Sequence, residues 1–563
     1  MSTVKRAIGA VAAGVLSLAL AAGVGVGGVL LPAPELAQPA MALGAATVSS
    51  SEGRAAMVCL GGIERSVATG VNVDNGDEKI RSFAGALLTG VDPATALTRW
   101  QTFTATSKTS SDARAAGNSS AGNSSVSGAT ANDAAGSSSA NGRNNSATLA
   151  QTSGTAVTAA VIEGGFTSKT GLGMPALTGA VSIDRVAGQG AFLMGGNAHV
   201  ASAGDLRGLA YVPCAWPANS MWLVGSASTV GTSNRLVLSN PTLTSVQVKI
   251  RAFTSLGEVP LGTSALVALA PQTIRAISLD GLVSDDDHIA FSLSAQAGQF
   301  AAALQTNTLS GFTPAGIDVI SAGREGRSVV IPGLVLPAGQ VNLGGIRSAT
   351  ETGTSALVDP AVKAGVRIVN PNAQPAAASV ALIGADGKAR TLPGGENTKI
   401  LPGGVLDLSL DGVQPGAYAL RVSADVPIAA GAFTRYDSGA AGKDVAWLAS
   451  QGAVTDAGAA VGIGAAQLVV LPVLNADQAR ETDVTWTAFD ARGKQLAQKK
   501  VTAKGTLAIS LPSGTAYVSV SASSPLYAAV AGSVTLGQGK GVAWAPLSQT
   551  GAGNSSTRVL FAN

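Results

Sequence analysis

The chain has few charged or aromatic residues. Charged side chains make up 12% of its 563 residues, and the formal net charge is +3. A surface so weakly charged gives no electrostatic basis for binding nucleic acid or for adhering strongly to anionic lipid. Aromatic residues make up 4% of the chain, which leaves few side chains for stacking on sugars. The composition therefore argues against nucleic acid as a partner and against a sugar cleft lined with aromatic rings.

Histidine is almost absent. The chain has only His199 and His288, and a zinc site with histidine ligands would need both of them, since no HExxH or CxxC motif occurs. The nucleophile motif GxSxG is also missing. We therefore predict a protein that is not an enzyme, with no catalytic, cofactor-binding or metal-binding residue. A glycosidase-like pair drawn from the 33 acidic residues stays formally open.

One acidic cluster stands out, at residues 285–288, with the sequence Asp-Asp-Asp-His. Adjacent carboxylates could supply oxygen ligands to Ca²⁺, but the alternating spacing of a calcium loop is missing. We interpret the cluster as a solvated loop.

The N-terminus resembles a membrane-targeting segment. Lys5 and Arg6 precede an uncharged apolar run over residues 7–31, which is long enough to cross about 30 Å of hydrocarbon. Ala40-Met41-Ala42 could serve as a cleavage site, so both a removed signal peptide and a retained transmembrane anchor fit. Either form predicts that the remainder of the chain is extracytoplasmic, secreted or attached to the membrane through this helix.

The chain has two cysteines, Cys59 and Cys214. They could form one disulfide or remain as two buried thiols, and an extracytoplasmic location favours the disulfide. A Ser/Ala/Asn/Gly-rich stretch at 107–155 lies between them and has too little apolar surface to offset the entropy of ordering. We predict that this insertion is disordered.

The rest of the chain repeats itself three times. Each copy has a strand ending at Asn and a Gly seventeen or eighteen residues later, at Asn240 and Gly257, Asn370 and Gly387, and Asn475 and Gly493. An Ile/Leu-Ser-Leu strand follows, at 277–279, 408–410 and 509–511. The last two copies also share Gly-Lys-x-Val-Ala-Trp, which ends at Trp447 and Trp544. We expect both rings to be buried in cores of small side chains.

Alternating apolar and polar residues, as in Val246 to Ala252, indicate strands with one buried face. The fold class is predicted to be all-β, with tandem immunoglobulin-like β-sandwich repeats after the N-terminal helix. The predicted segments are a signal peptide or anchor at 1–43, an N-terminal β module at 44–230, and β-sandwich repeats at 231–325, 326–452 and 453–563.

Several motifs carry a resemblance to a known family. Cys59 before Gly61-Gly62, Cys214 before Trp222-Leu223-Val224-Gly225, the Asn-Pro pairs at 240 and 370, and Pro427 to Ala430 occur in the family's order. The chain thus resembles a family of secreted or membrane-anchored actinobacterial proteins that is defined only as a domain of unknown function. Leu60 and the missing third Asn-Pro depart from that pattern. The resemblance implies an envelope location and no particular activity.

These observations favour a non-catalytic envelope protein that acts as a scaffold or interaction module, with another envelope protein or cell-wall glycan as its partner. A glycan-binding protein is the first alternative, with Trp100, Trp216 and Trp222 as candidate stacking residues. The second alternative is an accessory subunit of a membrane-bound envelope-synthesis enzyme, in which Gly23 and Gly27 would allow close helix packing in the bilayer.

Overall fold

The computed structural model describes residues 190–339 and 358–549 apart from a few single positions, and shorter segments at 54–63, 79–108, 146–148, 169–170 and 178–184 that also contain gaps. Side chains are described at 57–61 and 63 and from Met194 onward. The predicted helix at 7–31 lies outside the described residues. Within the predicted insertion, the described residues are 107–108 and 146–148, and they lie in strands.

The N-terminal module forms two four-stranded sheets, with the orders β1-β7-β3-β5 and β6-β2-β8-β9. Its strands are β1 (Arg54–Leu60), β2 (Lys79–Thr89), β3 (Thr98–Thr102), β4 (Thr104–Lys108), β5 (Ser146–Thr148), β6 (Lys169–Thr170), β7 (Thr178–Asp184), β8 (Gly190–Ala201) and β9 (Gly208–Pro213). Strand β4 leaves this module and pairs in parallel with a strand of the first repeat.

The first repeat is a sandwich of two sheets. Its strands are β10 (Ser220–Val224), β11 (Thr232–Asn240), β12 (Val246–Thr254), β13 (Gly257–Val259), β14 (Leu266–Leu269), β15 (Thr273–Ser278), β16 (Ala290–Ala295), β17 (Ala301–Ser310) and β18 (Thr313–Ile320). One sheet contains β10, β16, β12, β13 and β14, and the other contains β18, β17, β11, β15 and β4. In β12 the alternation predicted from sequence is confirmed, because Val246, Val248 and Ile250 are buried while Gln247 and Lys249 are exposed.

The second repeat has strands β19 (Glu325–Leu336), β20 (Val362–Val369), β21 (Ala376–Ile383), β22 (Ala389–Thr391), β23 (Thr398–Ile400), β24 (Val405–Ser409), β25 (Gly416–Asp437) and β26 (Lys443–Ala449). The third has β27 (Val454–Ala460), β28 (Ala465–Pro472), β29 (Leu474–Asn475), β30 (Gln478–Ala479), β31 (Thr482–Phe489), β32 (Gln495–Ala503), β33 (Leu507–Ser510), β34 (Tyr517–Leu536), β35 (Gly539–Pro546) and β36 (Ser548–Gln549).

Strands β25 and β34 are long enough to take part in both layers of their repeats. The first half of β25 pairs with β21, and its second half pairs with β20 and β26. Strand β34 pairs in the same way with β31 and then with β28 and β35. In the first repeat, the separate strands β16 and β17 occupy these two roles. The described part of the chain is therefore almost entirely β, with a 3-10 helix at Gly262–Ala265.

The all-β class and the sandwich architecture are confirmed, and the immunoglobulin-like type of the sandwich stays a prediction. The predicted module boundaries also stay predictions. The described residues all belong to one compact unit, Gly53–Gly553.

The Asn alignment of the third repeat is wrong. Asn240 ends β11 and Asn370 directly follows β20. Each lies five residues after the position that pairs with the serine of the Ile/Leu-Ser-Leu strand. In the third repeat Gln467 pairs with that serine, so the equivalent position is Pro472. Asn475 lies three residues further on and is exposed. Asn475 therefore matches Asn240 and Asn370 in residue type but not in strand register.

Candidate functional site

Each module contributes one strand to a central ring. The four ring strands are β9, β18, β26 and β35, and each packs against the next, so that β9 contacts both β18 and β35. Their sequences correspond as Gly208-Leu-Ala-Tyr, Gly316-Ile-Asp-Val, Asp444-Val-Ala-Trp and Gly541-Val-Ala-Trp. The ring closes because the first module packs against the last.

Alternate residues of each ring strand enter the cores of two modules. In β26, Ala446 and Leu448 belong to the core of the second repeat, while Val445 and Trp447 belong to the core of the first. Trp544 of β35 enters the core of the second repeat, and Tyr211 of β9 enters that of the third. Every module therefore depends on a neighbour to complete its core.

Asp444 lies where the four ring strands meet. Its carboxylate accepts the backbone N–H of Leu209 at 2.9 Å, of Ile317 at 3.2 Å and of Val542 at 2.9 Å, and the N–H of Val445 adds a fourth donor. These donors are the residues that follow Gly208, Gly316, Asp444 and Gly541. One fully buried side chain thus bonds to a strand from every module.

The three equivalent positions are glycines because a side chain would collide there. A Cβ atom at Gly208 would lie 2.6 Å from the Asp444 carboxylate, and one at Gly316 would lie 2.9 Å from the backbone nitrogen of Val445. The centre of the ring accordingly has space for one carboxylate, that of Asp444 on β26.

A second buried carboxylate belongs to Asp318 on β18. Its Oδ2 accepts the backbone N–H of Trp447 at 2.5 Å, and its Oδ1 has no partner among the described residues. Burial raises the pKa of Asp444 to about 7 against four N–H donors that lower it. Burial also raises the pKa of Asp318 well above its ordinary value, and the charge of Asp444 contributes in the same direction.

Arg367 joins the first and second repeats. Its Nε and Nη2 bind the two oxygens of Asp407 at 2.8 and 2.9 Å, and its other N–H groups reach the carbonyls of Ser226, Asp287 and Ile289. The guanidinium also lies 4.8 Å from the centre of the Trp447 ring. All five N–H donors are used, which is the condition for burying a charge without a large penalty.

The interpretation of residues 285–288 as a solvated loop is wrong for Asp286. This carboxylate is largely buried and accepts the Oγ–H of Ser255 at 2.6 Å and the backbone N–H of His288 at 2.6 Å. Nδ1 of His288 lies 3.5 Å from Oδ1 of Asp286, and its Nε2 lies 3.6 Å from Oδ2 of Asp407. The carboxylate stands between the hydroxyl and the imidazole, so this cluster lacks the Ser-His contact that activates a serine nucleophile.

His199 lies in another module and is 1% exposed, with its Nε2 3.1 Å from the carbonyl oxygen of Leu206. The structure does not bring the two histidines into one site. Among the described residues, no group of three or more His, Cys, Asp or Glu side chains is arranged to hold a metal ion.

The tryptophans fall into two groups. Trp447 and Trp544 are buried, as predicted, and the Nε1 of Trp544 donates to the Pro332 carbonyl at 2.9 Å. Of the candidate sugar-stacking residues, Trp222 is also buried and donates to Glu325 at 2.9 Å, while Trp216 is half-buried. The side chain of Trp100 lies outside the described residues. The described tryptophan rings do not form an exposed platform.

Cys59 and Cys214 lie 155 positions apart in sequence and form a disulfide, with their Cα atoms 4.1 Å apart. Both cysteines are buried. The adjacent residues Val58 and Ala215 exchange backbone hydrogen bonds of 2.8 and 2.7 Å. The disulfide thus attaches β1 to the segment that follows ring strand β9.

The ring residues were not predicted from sequence, because the repeat motifs define three copies and leave the N-terminal module apart. The signal was present in Gly-x-Ala-aromatic strands at 208–211 and 541–544 and in Asp444-Val-Ala-Trp. Aligning these strands places Asp444 opposite Gly208 and Gly541. Gly316 stands in Gly-Ile-Asp-Val, which lacks the Ala-aromatic pair, so its equivalence comes from the structure.

These features define a multi-module, all-β protein whose modules share the strands of one central ring. The chain belongs to DUF5719, a family of unknown function, which it matches over residues 173–512. No curated protein matches the chain. Within the described residues, no helix is long and apolar enough to cross a membrane.

Two solved structures show weak likeness. The crystal structure of Thermotoga maritima 1070 is 17% identical, with a TM-score of 0.17, and the match covers 22% of this chain and 92% of that one. Native alpha-2-macroglobulin from Escherichia coli, spanning domains MG0-NIE-MG1, is 10% identical with a TM-score of 0.09, over 58% and 95% of the respective chains. Likenesses at this level carry no argument about fold or function.

Proposed function

We propose that this protein is a non-catalytic, extracytoplasmic scaffold of the cell envelope that holds four β modules in a fixed arrangement and presents their outer surfaces to a partner. The observation that carries the proposal is that buried charged side chains bond between modules. Asp444 binds all four modules and Arg367 binds two of them. These side chains fix how the modules are arranged, and the packed modules bury them.

The Cys59–Cys214 disulfide supports the extracytoplasmic location. Disulfides persist in oxidising compartments and are rare in reducing ones. The basic residues Lys5 and Arg6 before the apolar run at 7–31 support export through the membrane. Secretion or membrane attachment and an actinobacterial origin are parts of this proposal.

The outer surface of the first repeat has an exposed apolar tip that is suited to a partner. Phe312, at the turn between β17 and β18, is fully exposed, and Val230 is 94% exposed. The turn lies beside Val230, because Leu309 donates its N–H to the Gly231 carbonyl at 2.8 Å. Residues 226–233 and 308–315 carry no charge. An apolar protein surface, more than a charged polymer, fits such a tip.

The test is a photo-crosslinking amino acid placed at position 312 of the full-length protein in its native cells. Leu401, which is 67% exposed in the second repeat, provides a control position. We expect an envelope component to attach at position 312, to attach less at position 401, and to be labelled from outside intact cells. Adducts with cytoplasmic proteins only, or a hydrolytic activity abolished by His288→Ala, would contradict the proposal.

The glycan-binding alternative gains nothing from Trp222, because this ring is buried and bonded to Glu325. Retention of the intact protein by purified cell wall, lost on Trp216→Ala, would revive that alternative. The accessory-subunit alternative depends on residues 7–31 and stays a prediction.

A further inference from the structure

The two carboxylates of the ring lie on neighbouring strands, and no charged side chain among the described residues is bonded to either. Asp318 on β18 and Asp444 on β26 are fully buried, and Asp318 reaches across to the backbone of β26 through Trp447. Within the described residues, the hydrogen bonds of Asp444 are with backbone N–H groups. Two like charges enclosed together disfavour ionisation of both groups at once.

We propose that the Asp318–Asp444 pair retains one proton at neutral pH, and that this proton makes the junction of the four modules more stable in acid than in alkali. The proton belongs on Asp318. Backbone N–H donors favour a charged carboxylate, and four of them face Asp444, whereas two, from Trp447 and Val319, face Asp318.

The surrounding strands carry Arg and Lys side chains, but these side chains interact with groups other than Asp318 and Asp444. Arg207, just before β9, donates to the carbonyls of Leu536 at 2.9 Å and Lys443 at 3.4 Å. Lys443 at the start of β26 pairs with Asp437 at 3.0 Å, and Lys540 on β35 lies over the ring of Tyr436. Tyr211 of β9 is the remaining titratable group on the four ring strands, and it faces the core of the third repeat. On the neighbouring β25, Arg435 lies over the ring of Phe433.

The sign of the pH dependence follows from proton binding. The pKa of an unfolded aspartate is about 3.9, whereas burial raises the pKa of Asp444 to about 7 and that of Asp318 well above its ordinary value. The folded state therefore binds protons more tightly than the unfolded state does. Stability from these groups is complete below about pH 4 and is lost as the pH rises through the folded pKa values.

The test is urea unfolding of the oxidised full-length protein at pH 5, 6, 7, 8 and 9. While only the folded state holds one proton, the unfolding equilibrium constant should rise about tenfold per pH unit. Asp318→Asn cannot ionise and should flatten the profile above pH 7. Asp437→Asn, which removes an exposed partner of Lys443, is the matched control and should keep the wild-type slope.

A second measurement uses the wild-type protein, so the test survives if Asp318→Asn does not fold. With ¹³C-labelled aspartate, the infrared C=O stretch of a protonated carboxyl should be present at pH 7 and vanish at higher pH while the protein stays folded. A wild-type stability that is constant from pH 5 to 9, or the absence of that band at pH 7, would overturn the proposal.

Discussion

The Asp444 carboxylate accepts the backbone N–H of Leu209 at 2.9 Å, although the two residues lie 235 positions apart. The same side chain binds Ile317 and Val542, so it contacts every module that the chain forms in succession. Bringing such distant residues together costs chain entropy. The complete set of bonds also requires the last ring strand, β35, which carries Val542. Assembly of the ring is therefore expected to depend on the complete chain.

The N–H groups around Asp444 should bind an external anion when the Asp444 carboxylate is removed by mutation. Asp444→Gly restores the glycine found in the other modules and leaves buried donors unsatisfied, at a cost of roughly 3 kcal/mol or more. Formate should recover part of this loss by occupying the vacant position. The measurement is urea unfolding with sodium formate against sodium chloride at equal ionic strength. An equal response of wild type and variant to formate would rule out a specific site.

Close packing of Trp544 against Gly333 can be tested with two glycines of similar backbone conformation. A Cβ atom at Gly333, where φ is +93°, would lie 2.5 Å from the Trp544 ring nitrogen, whereas one at Gly412, where φ is +82°, would meet nothing within 4 Å. Gly412→Ala should cost about 1 kcal/mol from backbone strain alone. Gly333→Ala should cost a further 1–3 kcal/mol from overpacking. Chemical denaturation measures both, and equal losses would refute the contact.

Arg367 should not tolerate lysine. Lysine keeps the charge but lacks the fork that binds both oxygens of Asp407 and three carbonyls, so Arg367→Lys should destabilise by about 3 kcal/mol. Arg390 makes an exposed ion pair with Asp386, and Arg390→Lys should change stability by less than about 1 kcal/mol. Thermal and urea unfolding of the pair provide the comparison, and a tolerated lysine at 367 would count against the junction.

The corrected repeat alignment predicts different roles for three asparagines. Asn240 is fully buried and donates to the carbonyl of Thr244 at 2.7 Å, and Asn370 does the same to Gln374 at 2.7 Å. Replacing either with Ala should cost about 2 kcal/mol, since buried carbonyls lose their donor. Asn475→Ala should lie within about 0.5 kcal/mol of wild type, as expected for an exposed position. Equal effects at all three positions would restore the original alignment.

Sequence patterns predicted the strands well because the alternation in segments such as β12 is local. They also predicted burial of Trp447 and Trp544, since a large ring in a core of small residues has few other places to go. Yet the sequence pattern could not reveal that each tryptophan side chain enters the core of a neighbouring repeat. That outcome depends on ring closure, which joins residues hundreds of positions apart.

The candidate site was hidden for a related reason. Asp444 looks like an ordinary acidic residue in Gly-Lys-Asp-Val-Ala-Trp, and its role appears only when it is aligned with Gly208, Gly316 and Gly541. Asp286 was misjudged because adjacent carboxylates usually face solvent, whereas here the hydroxyl of Ser255 binds it in a largely buried position.

The central claim is that Asp444 holds four modules together, and amide hydrogen exchange resolved to single residues tests it most directly. In the wild type, the amides of Leu209, Ile317 and Val542 should be strongly protected, because each donates to the same buried carboxylate. In Asp444→Gly, all three should lose protection together, although they lie in different modules. Faster exchange confined to the residues around 444, with the three distant amides unchanged, would contradict the account.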